Sequence, residues 1–168
     1  MVPAALSVQE QAELAVRAVT VYPRGNASNL DAHGPLPPDG VWAAWEAAAA
    51  AGADPTAAAA AEAAVYRLRW VTLGLHYDWT AKVYPPGRAG VFPADLSAVM
   101  ARLAATAAAC PDLPPATAAR LRRFAAEAAI VNYYRPGDTL AAHTDHSEED
   151  LEAPLLSLRS VGPGTARG

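Results

Sequence analysis

The chain has 168 residues, 52% of them hydrophobic and 18% charged, which is enough apolar material for one globular domain with a sizeable core. A formal net charge of -4 at pH 7 excludes a protein-wide basic field for drawing in nucleic acid, so any polynucleotide contact must be local. A single cysteine, Cys110, excludes an intramolecular disulfide and suits a reducing, intracellular setting without choosing among nucleus, cytoplasm and organelle; no apolar run or N-terminal pattern suits a membrane span or a secretion signal.

Ser7 and Glu10 form a capping box, and Leu14, Ala15 and Ala18 follow at helical spacing, which predicts a first helix over Val8 to Val19. Pro23 to Gly40 carries four prolines and three glycines and reads as a loop, with His33 exposed in it. Trp42 and Trp45 share one face of a second helix from Val41 to Ala51, with Gly52 as its stop and the indoles as core contacts rather than a base platform. Asp54 and Pro55 open a third helix that runs to about Tyr66. The alanine tracts in these helices favour the helical state yet bury little area, so light packing is expected.

From Leu68 to Tyr77 the composition turns to Trp, Val, Thr and Tyr, the chemistry of a strand. The loop from Asp78 to Arg88 mixes aromatic and basic groups, and Trp79, Lys82, Tyr84 and Arg88 are its candidates for stacking on an unpaired base and holding the flanking phosphates. The competing reading packs Trp79 and Tyr84 beneath the loop and leaves Lys82 solvated. Helices are predicted from Ala94 to Ala109 and from Pro115 to Ala126; Arg120, Arg122 and Arg123 near the end of the second could face phosphate, but suit better a solvated face that complements the helix dipole.

The run from Ile130 to Tyr134 predicts a strand, Pro136-Gly137-Asp138 a turn, and Thr139 to Asp145 a second short strand. On that second strand His143 and Asp145 stand two residues apart, so an imidazole and a carboxylate leave the same face. They make two thirds of a 2-His-1-carboxylate set, which holds Fe(II) on one side and leaves the other open. On its own the pair also fits a polar surface loop. By the same alternation His146 points away, and Ser147, Glu148, Glu149 and Asp150 read as a solvated acidic stretch.

The wording N-Y-Y-x-x-G-D-T-L-x-x-H-x-D-x-S-E-E-D, followed by A-P-L-L-S-L, resembles the AlkB family of iron and 2-oxoglutarate dependent dioxygenases. Arg67 to Tyr84 and Asn29 to His33 are similar to the matching segments of one branch, the first AlkB homologue. The resemblance covers most of the chain, to Leu158. It implies an α+β fold with N-terminal helices packed on a partial double-stranded β-helix, a jelly roll, over residues 1–158, followed by an irregular tail at 159–168. It implies Fe(II) on His143 and Asp145, and 2-oxoglutarate as co-substrate on Asn132 and Tyr134, which share one strand face. The implied substrate is DNA or RNA with methylated bases, and the loop from Asp78 to Arg88 helps form its lid. The implied reaction is oxidative demethylation that releases formaldehyde.

The chain departs from the family pattern after Ser157-Leu158. No histidine follows His146, and the later arginines, Arg159 and Arg167, do not fit the motif, so the third iron ligand and the arginine that pairs with 2-oxoglutarate are missing. The expectation is a chain truncated after Leu158 by a shifted frame or an alternative transcript end, with open sheet edges and no demethylase activity unless a partner supplies the rest. The alternative is an inactive isoform that serves as a nucleic-acid or protein binding module.

Overall fold

The protein is described by a computed structural model that covers residues 5–33, 39–50, 52, 54–78, 80–85, 87, 90–143, 150 and 152–159. Ser7 closes the capping box as the sequence predicts: its Oγ accepts from Glu10 N at 3.2 Å while Glu10 Oε2 accepts from Ser7 N at 2.8 Å. That reciprocal pair satisfies two backbone donors at the helix start and opens α1 over Val8–Thr20. A short 3-10 helix, Asn29–His33, stands inside the predicted loop, and α2 spans Gly40–Ala49. Asp54 accepts from Thr56 N at 3.0 Å and Pro55 takes the first helical position, giving α3 over Pro55–Arg67. As the alanine content predicts, α3 has no fully buried residue.

Strand β1, Trp70–Gly74, is the centre of the molecule. On one side it pairs antiparallel with β2, Ala128–Asn132, with Trp70 opposite Asn132 and Gly74 opposite Ala128. On the other side Ser28 bridges Val71, and Thr72 N donates to Ala27 O at 2.9 Å. Val71 and Leu73 are 0% exposed, joining Tyr22, Leu30, Val41, Leu68 and Leu96 in the main core, onto which Leu14, Ala18, Val131 and Tyr133 pack. Between the strands run α4, Ala94–Ala108, and α5, Pro115–Leu121, which bury Ala104, Ala108 and Leu121 in a second cluster.

Two polar joints fix these layers. Asn29 Oδ1 accepts from Arg69 N at 2.7 Å and from Trp70 N at 3.2 Å, while its Nδ2 donates to Arg67 O at 2.8 Å, so one side chain ends α3 and starts β1. Tyr22 OH donates to Asp95 Oδ2 at 3.0 Å, and Arg17 Nε lies 2.5 Å from the same oxygen, tying α1 to the first turn of α4. Burial works against the Asp95 charge, but the bonds from Arg17 and Tyr22 outweigh it and hold the carboxyl below its usual range.

Three sequence expectations need correcting. The strand expected over Leu68 to Tyr77 is only Trp70–Gly74, because Gly74 takes φ +71 and breaks the extended path. The helix expected to reach Ala126 ends at Leu121. Arg123 N and Phe124 N then bond back three residues, and the chain turns so that Glu127 O can accept from Leu75 N at 2.9 Å. Residues 139–143 of the expected second strand are irregular, for alternation cannot supply the neighbour a strand needs. Asp150, the one described residue of the acidic stretch, is exposed as expected and pairs with Arg120, which also meets Glu152. Among the described residues no helix is long and apolar enough to cross a membrane. The mixed helix and sheet class agrees with the α+β expectation.

Candidate metal and nucleic-acid site

Strand β2 presents alternate residues to opposite sides. Ala129, Val131 and Tyr133 lie against the main core, whereas Ile130, Asn132 and Tyr134 are exposed. Asn132 and Tyr134 therefore share a face, as period-two spacing predicts. The chain then turns sharply: Arg135 N donates to Asp138 Oδ2 and Asp138 N to Arg135 O, both at 2.9 Å, around Gly137 at φ +91. Arg69 Nη1 stands 3.7 Å from Asp138 Oδ2 and holds the turn toward β1.

The turn leads to His143, which is exposed. Its Nδ1 lies 2.9 Å from the Ala141 carbonyl oxygen. A carbonyl can only accept, so Nδ1 is the donor in this contact, which orients the imidazole ring. Asp145 lies outside the described residues, as do His146 and Ser147 to Glu149. Among the described residues no group of three His, Cys, Asp or Glu side chains could hold a metal ion. An imidazole oriented through its other nitrogen, with a carboxylate two residues on in the sequence, fits the donor chemistry of ferrous iron.

The loop after β1 is built on a buried hydroxyl. Thr72 is 2% exposed; its Oγ1 donates to Ala27 O at 3.3 Å and stands 2.5 Å from His76 Nδ1, which fastens His76 to the strand. Asp78 N donates to Val83 O at 2.9 Å, Lys82 N donates to Asp78 O at 2.7 Å, and Asp78 Oδ1 accepts from Thr80 N and Ala81 N at 2.9 Å each. The result is a tight, internally bonded tip with Lys82 exposed at φ 57. Tyr84 is half-buried and meets Tyr77 edge-on, with ring centroids 5.2 Å apart. Part of its ring thus packs within the loop, the competing reading of that residue. Trp79 and Arg88 lie outside the described residues.

Sequence spacing did not single out Thr72, His76 or Asn29. An isolated Thr-x-x-x-His carries no pattern, and Asn29 reaches its partners across 38 to 41 residues. A buried threonine on a central strand is the signal a structure supplies and a sequence hides. A shallow pocket of about 120 Å³ opens beside the end of β2, lined by Val41, Trp42, Leu68, Tyr133, Tyr134 and Arg135 among others. Trp42 and Trp45 stand 4.9 Å apart at its side, both half-buried and in contact with each other.

The sequence matches one known family. The sequence model of the 2OG-Fe(II) oxygenase superfamily matches residues 43–163. The tRNA demethylase abh1 of Schizosaccharomyces pombe is 47% identical over 93 residues, which cover 55% of this chain and 27% of that protein. Nucleic acid dioxygenase ALKBH1 of Mus musculus is 44% identical over 92 residues, 55% of this chain and 21% of its own length. N6-methyladenosine RNA demethylase ALKBH of Cryphonectria parasitica is 42% identical over 92 residues, 55% of this chain and 33% of its own length. The match to each relative thus spans a third or less of that relative's length.

Proposed function

Because the chain belongs to the 2OG-Fe(II) oxygenase superfamily, we propose that it forms part of an AlkB-type dioxygenase that oxidatively demethylates bases in DNA or RNA. The match over residues 43–163 carries this reading, since it takes in the β1 and β2 sheet, the loop after β1 and the His143 motif as one unit. The names of the relatives support a nucleic-acid substrate. Residues 1–158 make the N-terminal part of the domain, and the two-stranded sheet is the beginning of a double-stranded β-helix.

In this reading His143 and Asp145 hold Fe(II), and Asn132 and Tyr134 hold 2-oxoglutarate. Iron and 2-oxoglutarate, when bound, supply the activation of dioxygen that lets an N-methyl group leave as formaldehyde. The chain's own residues orient and exclude. The Ala141 carbonyl, 2.9 Å from Nδ1, orients the imidazole of His143. The amide of Asn132 and the phenol of Tyr134, on one exposed face, donate to carboxylate oxygens. The bonded tip from Asp78 to Val83 is preorganised: Lys82 meets a phosphate, Trp79 and Tyr84 a base, and Arg88 a second phosphate.

The test is formaldehyde release from N-methylated DNA and tRNA by the protein at its natural length, with iron and 2-oxoglutarate supplied. Release is expected, with at least about a hundredfold loss in His143→Ala, since an iron ligand is removed. Tight binding of methylated strands with no turnover under any iron or 2-oxoglutarate condition would instead support the binding-module reading.

A further inference from the structure

The chain leaves β1 at Gly74 and returns beside it at Gly90, where Gly90 N donates to Gly74 O at 2.7 Å. His76 sits over this neck: a Cβ on Gly90 would stand 3.0 Å from its Nε2 and 2.9 Å from Asn26 Oδ1. On its other side the imidazole Nδ1 lies 2.5 Å from the hydroxyl of Thr72, which is 2% exposed on the central strand. His76 is thus wedged between the core and the neck of the loop. From there to the tip, each link is a contact between described residues. Tyr77, next in the chain, meets Tyr84 edge-on, while Asp78 pairs with Val83 and its carbonyl accepts from Lys82 N at 2.7 Å. Lys82 is the only lysine of the sequence and, among the described residues, the only one besides glycines at positive φ. A side chain in that conformation persists only while its surroundings hold it there.

We propose that His76 is a positioning residue for nucleic-acid binding: held at the Thr72 hydroxyl, it seats the loop so that the Lys82 ammonium meets a strand phosphate already ordered. Ordering done in the folded protein is not lost again on binding. The inference rests on the reading above that this loop contacts nucleic acid. It asks for a hydrogen-bonding group where Nδ1 stands, not for an aromatic ring. Asparagine places an amide atom at about that position, whereas leucine has similar reach and no polar atom. Thr72→Val removes the hydroxyl with little change of shape, and the Ala27 carbonyl keeps its bond from Thr72 N at 2.9 Å. If His76 only filled space at the neck, leucine would serve as well as asparagine.

The experiment titrates a fluorescein-labelled single-stranded oligothymidylate into the protein at its natural length and follows anisotropy at low salt. His76→Leu and Thr72→Val are each expected to bind about fivefold more weakly, the scale of ordering a few side chains on binding, and His76→Asn within about twofold of the parent. A lysine-specific protease should cut after Lys82 about fivefold faster in the two weakened variants, because cleavage follows local opening. Lys82→Ala should weaken binding at least as much as His76→Leu, and adding His76→Leu to it should cost less than about twofold more, since the cation to be positioned is gone. Parent-like binding in His76→Leu overturns the inference, as does an asparagine variant as weak as leucine, or equal weakening by His76→Leu with and without Lys82. Should Thr72→Val fail to fold, the variants at half-buried His76 decide by the same criteria. Lys82→Ala separates the two readings: binding equal to the parent sinks the loop's contact with nucleic acid, and the inference with it. Weakened binding there beside a parent-like His76→Leu sinks only the positioning role.

Discussion

On the inner face of β2, Ala129, Val131 and Tyr133 lie against the core, and the Tyr133 hydroxyl donates to the Ala18 carbonyl. On the outer face Ile130 is 42% exposed and Tyr134 55%, with Asn132 between them. One strand and its continuation thus carry two kinds of residue, those held by burial and those left exposed. Substitutions on the inner side should cost stability and spare ligand binding; on the outer side the order should reverse.

The largest effect should come where β1 and β2 meet. A Cβ on Gly74 would stand 2.0 Å from the Glu127 carbonyl oxygen, which is backbone, and φ is +71. Gly74→Ala should therefore lose more than about 4 kcal/mol or fail to fold. Gly137, on the exposed turn, has φ +91 but nothing within 4 Å of its Cβ position. Gly137→Ala should cost only about 1–2 kcal/mol, the price of a left-handed residue. Urea denaturation of the two variants measures the gap, and equal losses would break the division between buried junction and open turn.

Next in size is a pair on the two sides of the sheet. Leu73 is 0% exposed and Ile130 is 42% exposed. Leu73→Ala should lose about 3 kcal/mol through lost burial and a residual cavity, and Ile130→Ala less than about 1 kcal/mol. A comparable loss at Ile130 would mean that another layer covers the outer face in solution.

A smaller effect is pH-dependent. Burial, then the Asp95 carboxylate, pushes the Tyr22 phenol from 10.0 to about 12. The folded state holds that proton more tightly, so its stabilising contribution is complete below pH 10 and is lost as pH rises from 10 to about 12. Tyr22→Phe should flatten this alkaline decline while costing about 1 kcal/mol at neutral pH, since Asp95 loses a donor. Burial also raises the Tyr133 phenol, so some alkaline sensitivity should persist in the variant. At the acid end, Asp95 is held below 3.8, and its contribution should fade as pH drops through that lowered value. Thermal unfolding across pH checks both limbs, and a Tyr22→Phe protein that declines as steeply as the parent above pH 10 would contradict the assignment.

These contrasts also mark how much the sequence could disclose. The capping box at Ser7, the Asp54-Pro55 start of α3 and the shared face of Asn132 and Tyr134 were legible because each depends on residues within a turn or a strand period. The centrality of β1 was not, because burial on both faces leaves an apolar run with no alternation to read. Nor was the joint at Asn29 or the Arg120 fork, since a hydrogen bond across 30 or more residues has no local signature. Residues 139–143 of the strand expected from Thr139 are irregular for a related reason. Alternation states which face a residue would take, but the hydrogen bonds that make a strand belong to its neighbour.

Tyr133 and Tyr134 put the division between the two faces to its sharpest test, because they are adjacent and chemically identical. Tyr133 packs its ring against the core and donates a hydrogen bond to Ala18 O, so Tyr133→Phe should lose about 1 kcal/mol of stability and leave 2-oxoglutarate affinity unchanged. Tyr134 is 55% exposed, so Tyr134→Phe should change stability by less than about 0.5 kcal/mol. If its phenol donates to a carboxylate, the same change should weaken 2-oxoglutarate about tenfold, the value of one hydrogen bond to a charged group. Urea unfolding and anaerobic titration of 2-oxoglutarate into the metal-loaded protein read the two quantities separately. Crossed effects, with stability lost at Tyr134 or co-substrate affinity lost at Tyr133, would place the ligand on the inner side of β2 and reverse the assignment of its faces.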